Sequence, residues 1–112
     1  MTNKTYIPLL IESLKTSIDL RPHRFAGFNG AYCTAGIKAL GVTDASTPGG
    51  EYAPVAVLGI LLVEAGGTIA AGDAVASDAE GRAVKAVDSA VINGYAVDAG
   101  TTGQEIRIIR GI

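Results

Sequence analysis

Three kinds of side chain in this sequence are candidates for chemistry, because carboxylates can hold a cation, a histidine can transfer protons and a cysteine can act as a nucleophile. The carboxylates of Asp73, Asp78 and Glu80 lack the alternating ligand positions and the closing glutamate of a calcium-binding loop. His23, in RPHRF, has no serine or cysteine nucleophile beside it, and Cys33, in AYCTA, is typical of a small buried thiol. The sequence contains no phosphate-binding glycine loop, dinucleotide fingerprint or metalloprotease helix. We therefore predict no catalytic residue, no metal site and no cofactor, and hence no enzyme.

Composition and charge limit the possible partners. A chain of 112 residues can bury a single core, and its one cysteine excludes an intramolecular disulfide. The net charge is −2 and the basic residues are scattered, which argues against a nucleic-acid partner. The longest uncharged apolar stretch, residues 53–63, is far shorter than the ~20 residues of a membrane helix, and the N-terminal residues lack the pattern of a cleavable leader. We expect no membrane partner, and synthesis in the cytoplasm.

An internal repeat is the main organising feature of the sequence. The octet DASTPGGE at residues 44–51 returns as DAGTTGQE at residues 98–105. Each octet follows a segment with a glycine and an apolar residue, and each leads into a run rich in valine or isoleucine. Aspartate and glycine in such loops favour local backbone hydrogen bonds and positive φ angles. We therefore predict two similar β-hairpins, at about residues 41–60 and 94–112.

Turn signals recur along the chain, such as the Asn-Gly pair at residues 29–30, and no apolar period of 3.6 residues persists. The alternating pattern of residues 14–20 predicts a strand. The predicted fold is all-β, a small antiparallel β-barrel or sandwich built from the two hairpin units, in a single domain over residues 16–112. Residues 1–15 are predicted to form an N-terminal arm, either extended or as a short helix that opens at Pro8.

Two apolar features predict contact with another protein. The N-terminal arm carries an apolar run over residues 6–11. In EIRIIRGI, strict alternation from Ile106 directs Arg107 and Ile109 to the same outer face, so an isoleucine lies beside a charge on the surface. Exposed apolar groups of this kind are typical of contact surfaces. The predicted partner-binding residues are Tyr6, Ile7, Pro8, Leu9, Leu10, Ile11, Arg107 and Ile109.

Three segments together resemble the phage capsid cement family, which comprises small decoration proteins that bind the outside of tailed-phage heads. The segments are RFAGFNGAYCTAGIKALGVTDAS, VEAGGTIAAGDAVASDAEGRAVKA and INGYAVDAGTTGQEIRI. The similarity covers about residues 19–109 and keeps the order and spacing of all three. It implies an all-β structural protein without catalysis, a major capsid protein as partner and a location on the outer capsid surface of the virion. Related decoration proteins often occupy threefold positions of the lattice, so the resemblance also implies a homotrimer.

Two other classes of function compete with this interpretation. The second of the three segments is similar to biotinyl and lipoyl carrier domains, but Lys85 lies beyond the hairpin tip that should present the modified lysine, so no carrier function is predicted. A small viral or bacterial β module that binds a ligand or a cell-surface receptor is the other alternative. A sugar site normally has aromatic platforms. Tryptophan is absent, and the available aromatic residues are Tyr6, Tyr32, Tyr52, Tyr95, Phe25 and Phe28.

Overall fold

The computed structural model describes residues 7–111 and shows an all-β fold, with no helix among these residues. The prediction of an all-β fold is confirmed. The strands are β1 (Ile7–Lys15), β2 (Phe25–Ala26), β3 (Gly41–Thr43), β4 (Tyr52–Glu64), β5 (Ala74–Ser77), β6 (Ala83–Lys85), β7 (Gly94–Ala96) and β8 (Glu105–Arg110). All strand pairs are antiparallel and form one sheet in the order β2-β3-β4-β8-β7-β5-β6, with β1 also paired to β4. No helix long and apolar enough to cross a membrane is present within this range.

The sheet is not closed into a barrel, so the barrel alternative is wrong. Its terminal strands β2 and β6 approach each other, and the N–H of Phe25 donates to the carbonyl of Gly81 at 2.6 Å. No ladder of hydrogen bonds joins β2 to β6 among the described residues. The sheet therefore almost encloses its core without closing, and Ala83 of β6 makes an isolated parallel bridge to Ala65, directly after β4.

Strand β4 is the longest strand and pairs with three others. Ala56 pairs with residues of both β1 and β3, and Ile60 pairs with residues of both β1 and β8. Because a strand residue has only two lateral neighbours, β3 and β8 lie one after the other along the same edge of β4, opposite β1. The sheet consequently forks between β3 and β8.

The two halves of the chain make the same backbone hydrogen bonds. Leu20 and Thr47 exchange two backbone hydrogen bonds, and Ile69 and Gly100 exchange the same two. The strand pairings match as well. The register between β1 and the first half of β4 is the same as the register between the second half of β4 and β8. Four further backbone N–H to carbonyl hydrogen bonds of the first half each have an equivalent in the second half. With the donor written first, they are Thr16–Glu51 (equivalent to Ala65–Gln104), Gly50–Thr16 (Gly103–Ala65), His23–Thr43 (Gly72–Ala96) and Leu40–Ala26 (Asn93–Val75).

The repeat is thus larger than the two hairpins that the octets indicate. It is also shifted by one residue: the structure makes Gly50 equivalent to Gly103, whereas alignment of the octets pairs Gly49 with Gly103. Gly50 and Gly103 have φ angles of 91° and 89°, in the left-handed region that glycine adopts most easily. The octets do connect antiparallel strands in both halves, as predicted.

The strand predicted over residues 14–20 is wrong, because the chain leaves the sheet after Lys15. Thr16 and Leu20 are buried, which accounts for part of the alternating pattern. Their backbone N–H groups donate to Glu51 and Thr47 in the first octet loop instead of to a neighbouring strand. The alternation therefore reflects a loop that packs against another loop.

The core lies between the two halves and draws on both. Its side chains are aliphatic apart from one phenylalanine and one cysteine, as the low aromatic content indicates. Small residues let the backbones approach closely, and a Cβ atom added at Gly41 would overlap the carbonyl oxygen of Ala56. The largest fully buried core side chains are Phe25, Leu61, Ile69, Ile106, Ile108, Val42, Val63 and Val75.

The close approach of β3 to β4 predicts the effect of Gly41→Ala. The added methyl group has to push β3 away from β4, so we expect a loss of about 2–3 kcal/mol in the free energy of unfolding, measured by chemical denaturation. Gly67→Ala is the matched control, because a Cβ atom there would lie 4.0 Å from Val84 Cγ1, an ordinary van der Waals contact. Equal stabilities of the two variants would contradict the packing described for β3.

Candidate docking site on β1, β4 and β8

The side chains of β1 are unusually exposed for an apolar strand. Leu9 is 77% exposed and Ile7 63%, while Leu10 and Ile11 are each 49% exposed. By contrast, Leu61, Leu62 and Val63 in the second half of β4 are all buried. The described part of the predicted N-terminal arm is therefore an extended strand rather than a helix, and it leaves its apolar groups facing solvent. Tyr6 lies outside the described residues.

An irregularity in the β1–β4 pairing exposes this apolar group. The register shifts between Pro8 and Leu10 and again between Leu10 and Ile11. Opposite the first shift, Gly59 has a φ of 113°, and a Cβ atom there would overlap the carbonyl oxygen of Ile7. A glycine inside a strand commonly marks such a bulge and close approach. The bulge breaks the strict alternation, so consecutive side chains of β1 reach solvent.

The outer edge of β1 carries features that oppose the addition of another strand. No described strand pairs with this edge. Pro8 has no N–H to donate, and the N–H of Ser13 donates to its neighbour's carboxylate, Glu12 Oε1, at 2.9 Å. Proline and charged side chains are common protections of exposed sheet edges. The side chains of β1, rather than its backbone, are therefore available for contact.

Beside β1 the surface forms an apolar groove of about 290 Å³, which we call the β1 groove. Strands β1, β4 and β8 all contribute to it, at the point where β8 ends. Every lining residue is aliphatic or glycine except Arg110. The lining residues are Ile7, Leu9, Leu58, Gly59, Ile60, Ile109, Arg110 and Gly111.

Arg110 fills the fork between β3 and β8. Its guanidinium group donates to the carbonyl oxygens of Ala39, Leu40 and Val57, and thus ties the start of β3 to the middle of β4. Burial lowers the pKa of Arg110 from its ordinary value. Within residues 7–111 no carboxylate lies in ion-pair range of this guanidinium. The groove therefore has a half-buried positive charge at one end, and its hydrogen-bond acceptors among the described residues are backbone carbonyl groups.

Arg107 has a different environment from Arg110. Its Nε and Nη2 atoms donate to the two carboxylate oxygens of Asp98 at 3.0 and 2.9 Å, and its backbone N–H also donates to Asp98. The hydrogen bonds and charge of Asp98 raise the pKa of Arg107. Arg107 and Ile109 are both partly exposed, while Ile106 and Ile108 are buried, as the alternation of β8 predicts. Ile109 lines the β1 groove, and Arg107 does not.

Several residues of the groove were not predicted from the sequence. Leu58 and Ile60 carry no signal of exposure, because β4 is a nearly continuous apolar run, and no local pattern distinguishes Arg110 from Arg107. Gly59 does carry one, since an isolated glycine inside a strand pattern often marks a bulge.

The other candidates for chemistry have structural partners. His23 Nε2 lies 3.6 Å from Glu105 Oε2, where the two halves of the chain meet. Arg82 forms ion pairs with Asp78 and Glu80 in the β5–β6 turn. Burial is the main cause that raises the pKa of the Cys33 thiol. No group of three or more possible metal ligands is present in the described part of the chain.

Two comparisons with known proteins give matches. A family model described as phage cement protein matches residues 12–112. The crystal structure of head fiber gp8.5 N base in bacteriophage phi29 is similar with a TM-score of 0.77, at 20% sequence identity, over 91% of this chain and 93% of that chain. At this identity the likeness shows the fold alone. No curated protein sequence matches the chain significantly.

The two arginines of β8 predict different effects of the same substitution. Arg110→Met leaves backbone carbonyl oxygens at the fork without donors, so we expect a loss of about 2 kcal/mol in the free energy of unfolding. Arg107→Met removes an ion pair near the surface and should cost clearly less. Denaturant titration of both variants measures the difference. A larger loss for Arg107→Met would show that Arg110 does not hold the fork together.

Proposed function

This chain belongs to the phage cement protein family, and from that premise we propose that it binds the outer surface of the phage head and stabilises the lattice of the major capsid protein. The family makes it a capsid-associated phage protein. The proposal adds three statements: the protein binds the outer surface of the head, its partner is the major capsid protein, and its binding stabilises the lattice. The observation that carries it is the exposed apolar strand β1, together with the groove beside it.

The exposed side chains of β1 supply what a docking surface needs. Aliphatic groups such as Leu9 gain free energy when a partner removes them from water, at roughly 25 cal/mol per Å² of apolar area. The protected edge of β1 disfavours indiscriminate strand pairing, so the chain can stay dissolved until it meets a complementary surface. We propose that the residues predicted from the sequence contact the capsid, namely Tyr6, Ile7, Pro8, Leu9, Leu10, Ile11, Arg107 and Ile109.

Repetition on the shell makes a modest contact effective. Each copy contributes only one small patch, but a closed head presents the same site many times. A protein that bridges neighbouring capsid subunits adds bonds that must open together before the shell ruptures. A ligand that binds only the intact lattice also stabilises that lattice by mass action. The role requires no catalysis, and it places the protein in the virion after synthesis in the host cytoplasm.

The test of the function compares the wild-type protein with Leu9→Asp and Ile18→Asp. Heads of the phage that encodes this chain, assembled without it, are mixed with each protein, and co-sedimentation and the temperature of thermal rupture are measured. We expect wild-type protein to co-sediment and to raise the rupture temperature. Leu9→Asp should bind at least about tenfold more weakly, because it places a charge against an apolar contact.

Ile18→Asp is the matched control, since Ile18 is exposed and lies outside the β1 groove. Both substitutions are on the surface and should leave the free energy of unfolding within about 0.5 kcal/mol of the wild type. If wild-type protein fails to co-sediment, or if heads rupture at the same temperature with and without it, the proposed function is wrong. Unchanged binding by Leu9→Asp would leave the function intact and remove β1 from the contact.

We also propose that the protein assembles as a homotrimer, either free in solution or on the head. A trimer suits a threefold position of a capsid lattice, because closed cyclic symmetry lets each copy make the same contacts. Sedimentation equilibrium of the free protein, together with counting of copies per lattice position on decorated heads, measures the state. Trimers in either setting agree with the proposal, and monomers in both contradict it.

A further inference from the structure

The β1 groove is one part of a longer surface. A second depression of about 250 Å³ is lined by residues that include Phe28, Ile37 and Lys38, and we call it the Phe28 depression. Between them lies a third depression of about 140 Å³, which shares Ile109 and Arg110 with the groove and Lys38 with the Phe28 depression. Because neighbouring depressions share lining residues, the three form one continuous face across the ends of β1 and β8.

This face is mainly apolar at its two ends and polar in its middle, where Lys38, Asn93 and Arg110 line the third depression. Phe28 is 66% exposed and Ile37 54%, and Ile92, which lines the third depression, is 41% exposed. The Ile37 loop is held against the Ile92 loop by the hydrogen bond from Val91 N to the carbonyl of Gly36. Contiguous exposed apolar groups fixed by the backbone are typical of contact surfaces rather than of random exposure.

The charges of the face have one sign. Lys38 and Arg110 are among its lining residues, and no aspartate or glutamate is. This contrasts with the whole chain, which has eleven acidic and nine basic residues. Within residues 7–111 neither Lys38 nor Arg110 has a carboxylate in ion-pair range. Both charges line the third depression, Lys38 where it adjoins the Phe28 depression and Arg110 where it adjoins the β1 groove.

We infer that the capsid-docking face extends from β1 through Lys38 and Arg110 to Phe28, and that the capsid surface it meets presents a carboxylate among apolar side chains. This inference rests on the proposed function. A carboxylate at the third depression faces the exposed ammonium of Lys38 and the half-buried guanidinium of Arg110 together. Exclusion of water by the flanking apolar groups strengthens that attraction. A basic or uncharged capsid surface would leave both cations without a counter-charge.

The test is a charge reversal with a matched control. Lys38→Glu and Lys15→Glu make the same change in net charge at exposed lysines, but Lys15 is at the far end of β1 and lines none of the three depressions. The concentration for half-saturation of undecorated heads is measured for wild type and both variants at low and high salt. Chemical denaturation checks that both variants are folded.

At low salt we expect Lys38→Glu to bind roughly fivefold or more weakly than wild type, and Lys15→Glu to stay within about twofold. At high salt the wild-type affinity falls and the difference between wild type and Lys38→Glu narrows, since exposed charges are screened. Failure of wild-type protein to bind heads overturns the proposed function and this inference with it. Binding by wild type with equal affinities of the two variants overturns the inference alone.

A second copy of the chain is the competing occupant of the face. Sedimentation equilibrium of the same free proteins separates the two cases. If Lys38→Glu changes the association state of the free protein and leaves binding to heads unchanged, the face joins copies of this chain, and the inferred capsid contact is wrong. Weakened head binding with an unchanged association state supports the capsid contact.

Discussion

The pairing of β4 with three other strands is the constraint on which the rest of the structure depends. Its first half is the last strand of the first structural repeat and pairs with β1 and β3. Its second half is the first strand of the second repeat and pairs with β8. One strand thus belongs to both halves, so side chains of both halves pack into one large core cluster, beside a smaller cluster of Ala26, Ala53 and Val55. A duplicated unit of this size would bury too little apolar surface alone. Sharing a strand solves that problem without an intramolecular disulfide.

The candidate site is a consequence of the same sharing. β3 and β8 compete for one edge of β4, and β8 ends at Arg110, just before it would meet β3. The guanidinium of Arg110 satisfies the carbonyl groups that the fork leaves without strand partners. On the opposite edge, Gly59 lets the β1 backbone approach closely and lies opposite the bulge that exposes Leu9. Groove, positive charge and exposed strand therefore arise where the two repeats join.

Local patterns predicted the local parts of this arrangement. The octets showed where hairpins form, because their glycines and aspartates limit the backbone to loops, and the alternation of β8 placed Ile109 on the outside. The pairing of one strand with three partners has no local signal, because β4 reads as a continuous apolar run whichever strands flank it. For the same reason the sequence could not distinguish Arg110, which caps a fork, from Arg107, which pairs with Asp98. The pattern of residues 14–20 misled because burial against a loop and burial in a sheet can produce the same alternation.

A cryo-electron microscopy reconstruction of decorated heads tests the central claim most directly, because it shows which face of the protein meets the shell. The account predicts that Leu9 of β1 and the adjoining groove are buried against the outer surface of the major capsid protein, with a capsid carboxylate near Lys38. A reconstruction in which β1 and its groove face solvent, while another surface of the protein contacts the shell, would contradict it.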